Sequence, residues 1–403
     1  MLSTLIYRSR VATPLQANDL SRLMQSAQER NAAASITGIL LFDGVHFVQL
    51  LEGPHDAVDA LFEVIKRDPR HINVVHLLRD DAPDRRFDGD AMALIDLRDA
   101  SEEPRKAILA KMKVSAHLAS SDDRVIKILL MYVNARGIAH IVEGDPASEW
   151  TFAPVAYPSH RDGEEPAHGN HYQFALQPIV DPMRRNITSF EFLIRGPSGG
   201  SPEQLFSSLP TELLYQTDLE SKARAFQLAH RLGQQHIKIS VNLFPMSLIA
   251  IPNAVDLLVD QILASGLSPS QVFVEVTEQE AISCLGSFRG AIKQLRIAGI
   301  GVAIDDFGAG YAGLSLLAEF QPDKLKIDRK IIQDIHTDGP RQAIVLAIIQ
   351  ACKAMGITPV AEGVESVEEW CWLQAAGVER FQGYLFARPA LNRVPDIWWP
   401  ERR

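Results

Sequence analysis

Apolar and polar positions follow two regimes along this chain. Over the first ninety-odd residues, short apolar runs alternate with stretches of helical spacing. "LSTLIYRS" predicts a strand. In "QANDLSRLMQSAQERNAA", Leu20, Leu23, Met24 and Ala27 recur at helical spacing, with Asn18 placed to cap the helix. "ITGILLFDGVHFVQLLEG" holds two apolar runs around Asp43-Gly44, a hairpin signal. A second helix, "HDAVDALFEVIKRD", precedes "INVVHLLRD" and "DAMALIDL". The order βαββαββ predicts a ferredoxin-like α+β sheet with its helices on one face.

From Glu102 to Arg136 the spacing turns helical, in "EEPRKAILAKMKVSAHL" and "DDRVIKILLMYVNARG". Two helices do not make a domain, so residues 96–150 read as a connector. Residues 151–170 are rich in Pro, Gly and charge and read as a linker. His160 and His168 lie in it without a coherent ligand set, and solvated linker histidines explain them better than a metal.

From residue 171 to 403 the second regime sets in. Eight apolar segments, from "YQFALQPIV" through "SFEFLIRG", "KISVNLF", "VFVEVTE", "GVAIDDF", "KLKID" and "TPVAEGV" to "RFQGYLF", mostly alternate with amphipathic stretches. That pattern predicts a TIM-like (β/α)8 barrel. The first two segments are joined by hairpin-length "DPMRRN", so they should pair antiparallel and make the barrel irregular.

A length of 403 residues fits two or three domains. The net charge of -10 argues against broad nucleic-acid binding, so DNA is not an expected partner. Three scattered cysteines, no signal-peptide pattern and no long apolar run fit a cytoplasmic protein with free thiols and no membrane segment.

In a barrel, polar groups at the C-terminal strand ends converge on one mouth. Those ends carry Glu191, Asn242, Glu275 and Glu278, Asp305 and Asp306, Lys326 and Asp328, Glu362 and Glu365, and Gln382. Two carboxylates ~4 Å apart repel by about 4 kcal/mol at an effective dielectric of 20. Four or five together need cations to stay ionised. With no Cys or His among them, the hard oxygens point to Mg²⁺ or Mn²⁺. Asp305 can bridge two ions while Asp306 serves one, the two-metal arrangement used for phosphoester hydrolysis. Beside cations, Lys326 would lose its proton more readily and accept one near neutrality. An ion pair with Asp328 or a contact to a phosphate fits the same residue.

These residues resemble the EAL family of cyclic-di-GMP phosphodiesterases over roughly Tyr172 to Trp399. Glu191-Phe192-Leu193-x-Arg195, Asn242 in "SVNLF", "EVTE", "DDFGAG", "KID", "EGVE" and "QGYLF" follow in the family's order. The resemblance implies that Glu191, Asn242, Glu275, Asp305, Asp306 and Glu362 hold two divalent cations. It implies that Lys326 and Glu362 serve the chemistry, that Glu278 steadies the loop after Asp306, and that Gln177, Arg195 and Gln382 contact the dinucleotide. The implied product is linear pGpG, and the implied assembly is a homodimer.

Residues 1–95 resemble the BLUF family of flavin-based blue-light sensors. Tyr7, Ser9, Asn31, Gln49, Arg70 and His71 match its pattern, with Met92 nearby and Asp90 where many relatives carry tryptophan. The resemblance implies FAD as cofactor. A carboxamide presents a donor end and an acceptor end, so Gln49 beside a flavin could exchange its hydrogen bonds after excitation. The whole chain then reads as a light-activated cyclic-di-GMP phosphodiesterase. A cyclic-di-GMP-binding module that does not cut, and an enzyme with a non-photic N-terminal module, are the competing readings.

Overall fold

The computed structural model describes residues 2–15, 17–82, 84–87, 91–98, 108, 111, 123–134, 141–157, 172–207, 209–234, 236–310 and 313–403. Two compact units separate: Met1–Glu143 with Asp334–Ala343, and Gly144–Gln333 with Ile344–Arg403.

The first unit runs β1 (Leu2–Val11), α1 (Ala17–Ala33), β2 (Thr37–Phe42), β3 (His46–Pro54), α2 (His55–Arg67), β4 (His71–Ala82) and β5 (Ala93–Asp96). The sheet order is β4-β1-β3-β2-β5, antiparallel except for β2 with β5. This is the βαββαββ fold expected from the spacing. At the β2–β3 hairpin Gly44 takes φ 101°, and Asp43 Oδ1 accepts from the backbone N–H of Val45 and His46 at 2.8 and 2.6 Å.

Strand alternation splits the apolar residues between two faces. Leu5, Tyr7, Phe47 and Leu51 pack with Leu20 and Met24 of α1 and Phe62 and Ile65 of α2. Ile6, Val48 and Leu50 face the other way, onto α3 (Arg124–Asn134), which buries Val125, Leu129, Tyr132 and Val133 at helical spacing. Full burial of one such aliphatic side chain contributes roughly 1.5–3 kcal/mol. The described helix of the expected connector is therefore the cover of the sheet's second face.

Two buried polar clamps fix α3 to β3. Glu52 accepts from the backbone N–H of Arg86 and Phe87 at 2.8 and 3.1 Å, and the Arg86 guanidinium reaches Asp123, 2.9 Å away. Asp123 in turn accepts from the backbone N–H of Val125 at the start of α3. Near the other end, the Tyr132 hydroxyl donates to Asp43 Oδ2 at 2.9 Å. His46 lies 3.3 Å from both Asp43 Oδ2 and Glu143 Oε1. Apart from residues 108 and 111, the helix expected over 102–118 lies outside the described residues, as do Asp90 and the linker residues 158–170 with His160 and His168.

The second unit is built around a closed barrel. β7 (Gln173–Asp181) pairs antiparallel with β8 (Asn186–Arg195), as the short turn required. β9 (Lys238–Asn242), β10 (Val272–Thr277), β11 (Gly301–Phe307), β12 (Lys324–Ile327), β13 (Thr358–Ala361) and β14 (Arg380–Phe381) follow in parallel. β14 returns to β7 and closes the barrel. Helices such as Thr211–Arg231, Ala254–Ala264 and Leu285–Ile297 provide crossovers. β15 (Ala390–Leu391) adds to β7, and β6 (Trp150–Val155) pairs with β16 (Ile397–Arg402). The sequence pattern missed β6 and β16: each contains a proline, and they lie far apart in the chain. β6 takes up the first residues of the stretch read as linker.

Candidate functional site

The parallel strands deliver their carboxylates to one mouth, and Lys326 of β12 stands at its centre, 1% exposed. Its Nζ lies 3.1 Å from Glu191 Oε2 of β8, 2.6 Å from Glu275 Oε2 of β10, 3.1 Å from Asp305 Oδ1 of β11 and 2.6 Å from Glu362 Oε1 after β13. Burial alone would lower the pKa of this ammonium, but Asp305, Glu191, Glu275 and Glu362 together hold it well above the usual lysine value. Facing these carboxylates alone, the ammonium is held because their charges outweigh burial; the drop expected of Lys326 belongs to a mouth that holds cations. The alternative pairing with Asp328 is corrected: that carboxylate accepts from the backbone N–H of Lys330 instead.

Glu191 is the hub on the β8 side. Asn242 Nδ2 donates to its Oε1 at 2.6 Å, and Gln382 Nε2 donates to its Oε2 at 2.7 Å. Gln382 also donates to Gln177 Oε1 at 3.1 Å, so the two carboxamides are linked. Asp306 differs from its neighbour in backbone, with φ 54°, and the β11–β12 register slips between Ile304 and Phe307. Burial and the charges of Asp305 and Asp328 push the Asp306 carboxyl up to about 7. Burial, opposed by Lys326 and reinforced by Glu191 and Asp305, does the same to Glu275.

The donor set fits divalent cations. Glu191, Glu275 and Asp305 form one group with carboxylate oxygens within 4.8 Å of one another; Asp305, Asp306 and Glu362 form a second that shares Asp305. Glu275 Oε1 is buried with no hydrogen-bond partner. One ammonium faces five carboxylates, all of them hard oxygen donors.

Beyond β11 the chain wraps around Glu278. This 2%-exposed carboxylate accepts from the backbone N–H of Gly308, Gly310 and Gly313 at 2.8, 3.2 and 3.3 Å. Gly308 has φ 95°, a left-handed backbone that suits glycine. The mouth opens into two clefts. One, of about 340 Å³, runs under Phe192, Phe206 and Phe244; the other, of about 290 Å³, is polar and includes Gln177, Arg329 and Gln382. Arg195 is not among the residues lining either cleft, and its guanidinium donates to its neighbour's carbonyl, Ile194 O. The sequence pattern passed over Asp218 and Lys222, a buried pair 2.6 Å apart beside the larger cleft. Their i,i+4 spacing was the available signal.

In the first unit, Tyr7 and Gln49 are direct cross-strand partners. The Tyr7 hydroxyl donates to Gln49 Oε1, and Gln49 Nε2 donates to Met92 Sδ at 3.3 Å. Burial raises the Tyr7 pKa and keeps its phenol neutral. Tyr7, Asn31, Gln49, Arg70 and His71 line one cleft with apolar residues of α1 and α2. Ser9 and Met92 stand behind it: the Ser9 hydroxyl is 2.7 Å from His71 Nδ1. Apolar walls with two carboxamides and the guanidinium groups of Arg30 and Arg70, the latter paired with Asp68, suit a flat, polar-edged ring system carrying phosphates. No helix among the described residues is long and apolar enough to cross a membrane.

Residues 163–389 match the EAL domain family, and residues 2–93 match the family of sensors of blue-light using FAD. The blue light- and temperature-regulated antirepressor BluF of Escherichia coli is 42% identical over 405 residues, covering 100% of both chains. The cyclic di-GMP phosphodiesterase RocR of Pseudomonas aeruginosa is 37% identical over 184 residues, covering 45% of this chain and 46% of that protein. Among solved structures, Klebsiella pneumoniae BlrP1 in a manganese/cyclic-di-GMP complex superposes with a TM-score of 0.91 at 46% identity, covering 100% of both chains. The same protein with FMN and cyclic-di-GMP but no metal ions gives 0.86 at 41%, again over 100% of both chains. A flavin and divalent cations, the cofactors expected from sequence, agree with these matches. The chain belongs to the BLUF–EAL proteins, in which a flavin-based blue-light sensor domain precedes an EAL domain.

Proposed function

We propose that this chain is a blue-light-activated phosphodiesterase that opens cyclic-di-GMP to linear pGpG. The observation that carries this reading is the convergence of Glu191, Glu275, Asp305, Asp306 and Glu362 at the mouth, in two groups sharing Asp305, with Asn242 bonded to Glu191 and Lys326 among them. In this reading the five carboxylates and Asn242 would hold two Mg²⁺ or Mn²⁺ ions, which would supply Lewis-acid chemistry at a water and at the phosphate. Burial favours a neutral Lys326 Nζ once the surrounding carboxylates are engaged elsewhere, and that form takes the attacking water's proton. The water oxygen bonds to phosphorus, the P–O3′ bond breaks, and O3′ takes up a proton. Gln177 and Gln382, which line the polar cleft, orient the dinucleotide, Arg195 would join them only by releasing the Ile194 carbonyl, and Glu278 holds the loop after Asp306 in shape. Tyr7, Ser9, Asn31, Gln49, Arg70, His71 and Met92 surround FAD, and the assembly is a cytoplasmic homodimer.

The test is direct. Purified protein with Mn²⁺ should convert cyclic-di-GMP to pGpG, faster under blue light than in the dark. No product under either illumination overturns the reading.

A second reading draws on the full-length relative named as an antirepressor. Here cyclic-di-GMP would be bound without being cut, and light would act through a protein partner. Binding of the dinucleotide with no pGpG in either Mg²⁺ or Mn²⁺ would favour it. The complete carboxylate set favours the enzyme.

A further inference from the structure

Asp218 has no place in the chemistry described so far, yet it is among the best-satisfied buried charges in the barrel unit. It lies on the Thr211–Arg231 helix and is 2% exposed. Lys222, one turn on and equally buried, donates to Asp218 Oδ1 at 2.6 Å. The other oxygen, Oδ2, accepts from the Phe244 backbone N–H at 2.9 Å and from the Ser247 hydroxyl at 2.7 Å. Lys222 Nζ also reaches Ser221 Oγ at 3.2 Å.

Phe244 is two residues beyond Asn242, where β9 ends. Between them, the Leu243 backbone N–H donates to Glu275 O at 3.0 Å. The turn after Asn242 is thus pinned on one side to the strand that carries Glu275 and on the other to Asp218. Asn242 itself donates to Glu191 at 2.6 Å. Lys222 supplies the charge that compensates the buried carboxylate, and the ion pair leaves Oδ2 free to grip the two donors of the turn. Phe206 packs edge-on against Phe244 with ring centroids 5.1 Å apart, closing the same turn from the cleft side.

We infer that Asp218 is a positioning residue for cation binding at the barrel mouth: it fixes the Asn242 turn, and Lys222 is its counter-ion. The inference rests on the reading of Asn242 as a cation ligand. It adds a support outside the ligand shell, where loss of a partner typically weakens metal affinity ~10–100-fold.

The experiment is a calorimetric titration of the full-length, metal-stripped protein with Mn²⁺, alongside thermal unfolding and activity across Mn²⁺ concentration. The charge-neutral double variant Asp218→Asn/Lys222→Met should bind Mn²⁺ at least tenfold more weakly than the natural chain. Its activity should recover as Mn²⁺ is raised. Wild-type Mn²⁺ affinity in the folded double variant overturns the inference. So does a fall in melting temperature and kcat with no change in Mn²⁺ dependence, which is what a purely structural role would produce. If the double variant does not fold, Ser247→Ala decides: it removes one grip on Asp218 and leaves the charge pair. A threefold or greater weakening supports the inference, and an unchanged affinity overturns it. Natural protein that binds no Mn²⁺ would instead remove the reading of the acidic mouth itself.

Discussion

Asp305 and Asp306, adjacent in the chain, both line the barrel mouth. Regular strand alternation would send them to opposite faces. The left-handed backbone at Asp306 and the register slip beside it bring the second carboxylate round. For a residue with a Cβ that conformation costs roughly 1–2 kcal/mol, which the surrounding structure must offset.

The two aspartates should therefore fail differently. Asp305 belongs to both carboxylate groups and Asp306 to one. Asp305→Asn is expected to lower kcat/KM by more than about 100-fold, beyond the loss typical of an outer-shell partner. Asp306→Asn should cost less. Steady-state assays at saturating Mn²⁺, with the flavin absorption spectrum as a folding control, measure the ordering.

Glu278 offers a second separation. Glu278→Ala leaves the amides of Gly308, Gly310 and Gly313 without their shared acceptor, at about 1–3 kcal/mol for each that stays buried and unpaired. Glu278→Gln keeps one carbonyl oxygen. The melting temperature of the barrel unit should fall in the order natural, Gln, Ala, with activity following the same order. Equal melting temperatures for Gln and Ala would refute the shared-acceptor account.

In the sensor unit, Gln49 joins Tyr7 to Met92 through its two amide ends. Gln49→Leu keeps the bulk and removes both ends. The flavin should still bind, and its reversible red shift under blue light should vanish. Difference absorption spectra of the reconstituted variant test this directly.

His46 gives the sensor unit a pH signature. Burial lowers its pKa, but Asp43 and Glu143 override this and raise it to about 9, against an ordinary value of 6.5. The charges of Arg8 and Arg10 and the neutral Tyr132 hydroxyl complete the surroundings. Because the folded pKa is raised, the stabilisation is complete below pH 6.5 and is lost as pH rises through about 9. Resistance of the natural chain to denaturant should fall as pH rises across that window, and His46→Gln should flatten the slope.

The fold was legible where patterning is local. Eight strands, the Asp43-Gly44 hairpin and the antiparallel β7–β8 turn follow from spacing alone. Tertiary pairing determined the rest. No short window shows that β6 meets β16, or that Asp306 would turn left-handed. Spacing offers Lys326 a nearby carboxylate in Asp328, whereas its partners come from four other strands or strand ends brought round by barrel closure. Asp218 and Lys222 sat in a helical stretch where an i,i+4 charge pair usually means solvent; only packing shows that both are buried.

β3 carries Gln49 toward the cleft shared with Tyr7 and His71 and, on its opposite face, His46 and Glu52, the strand-side members of the two clamps on α3. The strand behaves mechanically as a beam fastened at both ends, with its load applied between the fastenings. A small displacement at Gln49 has two outlets: bending within β3, which the ladders to β1 and β2 on either side resist, or a tilt of α3. Stiffness in the sheet thus decides how much of a local change at the flavin becomes movement of the helix.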